Sequence, residues 1–297
     1  MSDSADLNLL LPTTFSRACA QTGRAIAQLA EACRLSLTIM HVAPDGRATE
    51  DVRRRLHAFL PEASDFTPCR RLLLEHNNPA SAVADLCTSQ GFDLVMAPAS
   101  APTTWRTVFA PSFRTRLLRT CAVPLWTAGG CLPVADFARP MATVACLIDF
   151  DGDPVAFLRL VRAFARRVGA RLHVLAVIPP IDDGTLTDAL TSGAPLVPAL
   201  ALERLRELVA GDDPPGVEVA VGNRNRELRR MLKARRADLL FVAPGQVPVN
   251  GWTFSSVLDR LPCPVVCIDV ASSAFPGWSF QERWPYNLGD AAITAGG

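Results

Sequence analysis

The chain has 297 residues, 49% hydrophobic and 20% charged, which is enough for two domains of ordinary size and excludes intrinsic disorder. Its formal net charge is +1, so no global field recruits nucleic acid or an anionic membrane. No apolar run reaches the ~18 residues of a membrane span, and a polar start carrying Asp3 and Asp6 does not read as a signal peptide.

Nine cysteines are present, with no Cys-x-x-Cys pair. Cys19, Cys33, Cys87, Cys121 and Cys146 lie in apolar runs, where a thiol behaves as a small hydrophobe. The four histidines, at 41, 57, 76 and 173, make no zinc pattern with them. Free thiols in a soluble, cytoplasmic setting are the expectation.

In chain order, a first apolar strand over Leu7–Leu11 leads into an amphipathic helix over Ser16–Arg34. A second strand covers Ser36–Val42, and after a loop with a helix a third covers Arg71–Glu75. A helix over Pro79–Gln90, a strand over Asp93–Ala97, a further helix and a strand over Val123–Thr127 complete the unit. The whole order then repeats. One constant offset places Phe15 on Phe150, Leu37 on Leu172, Ile39 on Val174, Val42 on Val177 and Pro44 on Pro179.

The second copy reads as strands Thr143–Ile148, Arg171–Ile178, Val217–Val221, Asp238–Ala243 and Pro264–Val270, with helices over Asp153–Val168 and Asn225–Arg236. Continuously apolar strands alternating with helices call for parallel sheets covered on both faces. The expected fold is therefore α/β: two tandem doubly wound units, each a five-stranded parallel sheet with helices on both faces. The boundaries expected are 1–128, a Gly- and Pro-containing linker at 129–141, a second unit at 142–270, and a tail at 271–297. In that tail Phe275, Trp278, Phe280, Trp284 and Tyr286 are too irregularly spaced for a helix face. Packing over its own domain is favoured over partner anchoring.

This order of elements, together with Pro12-Thr13-Thr14-Phe15-Ser16, the strand-four segments Phe92–Met96 and Ala237–Val242, and the closing Val123-Pro124-Leu125 and Cys263-Pro264-Val265, resembles the universal stress protein family in its tandem form. The resemblance covers roughly residues 7–127 and 143–270. It implies a nucleotide loop after strand four of the pattern Gly-x2-Gly-x9-Gly-Ser/Thr, where glycine admits phosphate close to the backbone and donates N–H to it.

In the first copy Pro98, Ala101 and Pro111 stand at the glycine positions and only Ser112 is kept, while Thr14 replaces the family's acid. Proline has no N–H to donate, so this copy reads as degenerate. The second copy keeps the acid as Asp149 and has Gly245 and Gly251 in a shorter loop, with Trp252 at the hydroxyl position. The resemblance implies a non-catalytic stress-response or regulatory protein without cofactor, the alternative being an ATP-binding switch or weak ATPase using Asp149, Gly245 and Gly251.

No catalytic motif stands against that reading. His41 and His173 read as sheet residues, and Asp182-Asp183 and Asp212-Asp213 as loop acids. The basic run Arg224, Arg226, Arg229, Arg230, Lys233, Arg235 and Arg236 reads as a solvated helix face, because no aromatic platform is interleaved. Nucleic acid and membrane are not expected as partners. Another protein is, and the two repeats are expected to pair intramolecularly by edge strands as a pseudo-dimer. A homo-oligomer is left open.

Overall fold

The computed structural model describes residues 7–97, 113–127, 141–148, 154–178, 196–211, 214–243 and 260–268. Linker residues 129–140 and the aromatic tail lie outside the described residues. In the first half β1 (Leu7–Pro12), α1 (Arg17–Ala32), β2 (Leu35–Ala43), α2 (Glu50–His57) and α3 (Ala63–Phe66) are followed by β3 (Cys69–Glu75). Then come α4 (Pro79–Gln90), β4 (Leu94–Ala97), α5 (Phe113–Thr120) and β5 (Leu125–Thr127). The second half gives β6 (Thr143–Leu147), α6 (Pro154–Arg167), β7 (Arg171–Ile178), α7 (Leu196–Val209), β8 (Gly216–Val221), α8 (Arg224–Arg235), β9 (Leu239–Val242) and β10 (Val265–Cys267).

All ten strands form one sheet, ordered β3-β2-β1-β4-β5-β10-β9-β6-β7-β8. Each half has the same order read outward from the middle, and every pairing within a half is parallel. The halves meet where β5 and β10 pair antiparallel, Val265 beside Thr127, Val266 beside Trp126 and Cys267 beside Leu125. What the sequence suggests as two sheets is thus one continuous sheet, mixed only at this seam, and the edge strands pair as expected. The repeat extends to register: Leu9 lies beside Leu37 and Leu94, and Val144 beside Leu172 and Leu239.

Central strands are apolar because both faces are covered. Every residue of β4, β6 and β9 is buried, as a parallel sheet between helix layers requires. On one face a single core runs across the seam, joining Leu9, Ile26 and Leu37 to Trp126, Phe157, Phe164, Phe241 and Val266. On the other face the packing divides into a cluster around Val83, Leu86 and Cys87 and another around Leu228, Met231 and Leu232.

Two polar devices recur in both halves. Asp93 accepts a hydrogen bond from the Asn8 backbone N–H at 2.8 Å. Asp238, in the matching place, accepts from the Ala142 and Thr143 N–H groups at 2.9 Å each. These carboxylates tie the end of a helix–strand turn to the start of the first strand, satisfying N–H groups that the ladder leaves over. Asn78 and Asn223 cap α4 and α8 by accepting from Ser81 and Arg226 N–H, the capping role suited to a short polar side chain.

Candidate functional site at the strand ends

In a doubly wound sheet ligands sit outside the carboxyl ends of the strands, where the strand order reverses. Here that point lies between β1 and β4 in the first half and between β6 and β9 in the second. The first corner is built by the segment that leaves β1. Thr13 donates its N–H to Met40 O at 2.7 Å, and the His41 ring nitrogen Nδ1 lies 2.8 Å from Thr13 O. A carbonyl only accepts, so Nδ1 carries the proton in this contact.

Phe15 then turns left-handed, with φ 60°, which costs a side-chain-bearing residue roughly 1–2 kcal/mol. Its N–H is held by Thr13 Oγ1 at 3.0 Å. Its ring is packed 4.4 Å from His41 and 5.9 Å from Phe59, centroid to centroid. The Arg55 guanidinium lies 4.9 Å over it, within cation–π range. The corner thus carries an aromatic ring under an arginine.

Behind it, Cys19 is fully buried in the first turn of α1. The Ser16 hydroxyl donates to its Sγ at 3.2 Å and accepts the Cys19 N–H at 3.3 Å, capping the helix. The Thr14 N–H points to the same sulfur at 3.4 Å, and Thr14 Oγ1 lies 3.6 Å away. Burial acts to raise this thiol's pKa. The hydrogen bonds, from Ser16 first, outweigh it and hold the thiol below its ordinary value.

Of the residues singled out from the sequence, the structure describes Thr14, which is exposed at the mouth of this corner. Pro98, Ala101, Pro111 and Ser112, and in the second half Asp149, Gly245, Gly251 and Trp252, lie outside the described residues. Cys19, Arg55 and Phe59 were not anticipated at the site. Only the capping serine three residues before Cys19 hints at the first of them.

Arg114 was missed as well. It is the second residue of α5, is buried to 1% exposure and donates to Thr127 Oγ1 at 2.8 Å. Across the seam, burial pushes the Cys267 thiol up to about 12, with the Arg114 cation opposing. The signal was an arginine on the face of α5 that also carries Leu117.

Elsewhere, His41 and His173 lie in β2 and β7, as the sequence suggests. The basic run sits on and just after α8, interleaved with acids. Arg230 contacts Glu227 at 2.8 Å and Glu218 at 3.4 Å, and Arg235 contacts Glu218 at 2.9 Å. The eight described cysteines form no disulfide. Among the described residues no group of three or more His, Cys, Asp or Glu could hold a metal ion, and no helix is long and apolar enough to cross a membrane.

Fold and site together define a tandem pair of doubly wound α/β units with one switch-point corner in each. Residues 142–269 match the model of the universal stress protein family, which puts a domain of that family in the second half of the chain. A universal stress protein from Archaeoglobus fulgidus DSM 4304 is similar over nearly the whole length. Its TM-score is 0.63 at 13% identity, covering 88% of this chain and 96% of that one. A functionally unknown protein from Pseudomonas aeruginosa PAO1 gives a TM-score of 0.59 at 14% identity, covering 90% and 95%. At such identities the likeness is one of fold, and it extends to the first half as well. No curated protein matches the chain.

Proposed function

We propose that this chain is a non-catalytic, cytoplasmic regulatory protein of the universal stress type, with domains at 1–128 and 142–270, that acts by binding another protein. In this reading its first repeat holds no nucleotide. The observation that carries the reading is the first corner itself. The Thr14 N–H is turned to Cys19 Sγ, and Phe15 is stacked under Arg55 and His41.

The sequence supports the same reading, since Thr14 stands where the family resemblance calls for an acid, and Pro98 and Pro111 replace glycines. Each hydrogen bond lost to a charged phosphate is worth about 1.5–3 kcal/mol. Two such losses move a micromolar site toward millimolar, at about 1.4 kcal/mol per decade. Any nucleotide affinity belongs to the second repeat, where Asp149 is retained.

Calorimetric titration of the intact chain with Mg-ATP tests this. Binding is expected to be absent, or to have at most one site per chain that Asp149→Ala abolishes. Two sites, or a site that survives Asp149→Ala, overturns the reading. So does steady ATP turnover by the wild-type chain.

A further inference from the structure

Two thiols in the first half face one another away from the corner. Cys87 lies in the last turn of α4, where its carbonyl accepts the Gly91 N–H. Cys121 follows the last residue of α5 and donates its N–H to Leu117 O at 2.8 Å. Both belong to the cluster that includes Val83, Leu86, Leu117 and Val123, and their side chains are hydrogen-bonded to each other. Cys87 is buried at 4% exposure, whereas Cys121 is only partly buried.

We propose that Cys87 and Cys121 are a peroxide-reactive dithiol, with Cys121 the sulfur attacked first and Cys87 the resolving one. The roles follow from the placement: Cys121 is the one that solvent reaches, and Cys87 stands behind it in the core. The charge balance agrees. Cys87 donates its S–H to Cys121, and with the Val123 backbone N–H this holds the Cys121 thiol below its ordinary range despite burial. The same donation, together with burial, pushes Cys87 up.

The Cys121 thiolate attacks one oxygen of hydrogen peroxide and the O–O bond breaks. Hydroxide leaves, is protonated to water, and Cys121 becomes a sulfenic acid. Cys87 sulfur then attacks the sulfenic sulfur. An S–S bond forms, the S–O bond breaks, and the hydroxyl leaves as water with the Cys87 proton. Two thiols lose two electrons in all, and one peroxide becomes two waters. The product staples the end of α4 to the residue after α5, the helix that leads from residues 98–112 back to the seam strand β5.

The test is controlled oxidation of the intact chain with one equivalent of hydrogen peroxide, followed by alkylation and non-reducing peptide mapping. Two of the nine thiols are expected to be lost, with a Cys87–Cys121 linked peptide that dithiothreitol dissolves. In Cys87→Ser the linked peptide should vanish and Cys121 should stop at a sulfenic acid that dimedone traps. In Cys121→Ser, Cys87 should stay alkylatable. Retention of both thiols in the wild type while other cysteines react, or linkage of either to a third cysteine, overturns the proposal without recourse to a variant.

Discussion

At the scale of single residues, Asp238 separates structural from functional acids. Its carboxylate lies at the amino ends of β6 and β9, away from the ligand-binding rim, and accepts two backbone N–H groups at the start of β6. Charge-assisted bonds of this kind are worth about 1.5–3 kcal/mol each. Asp238→Ala is therefore expected to destabilise the chain by about 2–4 kcal/mol, and Asp238→Asn by about half as much, measured by urea unfolding. A loss below ~0.5 kcal/mol for the alanine variant would show that the bonds are exchanged for water at no cost. The same residue scale explains what the sequence hid at the site. Thr14 was legible because it occupies a motif position. The placing of Cys19 beside it and of Arg55 and Phe59 around Phe15 was not, because Arg55 and Phe59 reach the corner only through tertiary packing of α2 and the chain after it.

Among the elements, agreement was best where the chain carries its own punctuation. α4 runs from Pro79 to Gln90 as expected, since proline suits a first helical position and a left-handed glycine ends the helix. The closing strands begin later than expected, at Leu125 and Val265. The residue before each is a proline, which has no N–H for the ladder. Arg114 escaped notice because arginine is ordinarily exposed.

The helix ends also show the repeats diverging. Gly91 closes α4 at φ 62°, and Arg236 closes α8 at φ 51°, so the second copy places a side chain where the first avoids one. Arg236→Gly should stabilise the protein by about 0.5–1 kcal/mol, and Gly91→Ala should destabilise it by about 1 kcal/mol. Chemical denaturation of the two variants beside the wild type checks both signs. A loss of stability in Arg236→Gly would mean that the arginine side chain contributes more than its backbone strain costs.

For the whole molecule, the shared core across the seam predicts that the halves unfold together. Trp126 lies at 1% exposure on β5 beside Val266 of β10, within the cluster that spans both halves. Truncating a buried aromatic of this size costs about 3–5 kcal/mol. Trp126→Ala is expected to lower stability by that amount and to split one calorimetric transition into two. A single transition at an unchanged midpoint would show the seam to be energetically idle. The tandem architecture itself was legible from the offset that superposes the halves. The union of their sheets was less so, since the short last strands carry little to say which neighbour they take.

That union has a geometric corollary. Because every pairing but one is parallel and the exception is the seam, strands of the first half point one way along the sheet and those of the second point the other. The two switch-point corners therefore open on opposite rims of the molecule. A small partner docked on one rim leaves the other untouched, so the corner holding Phe15 and its counterpart near Ala243 are free to change independently.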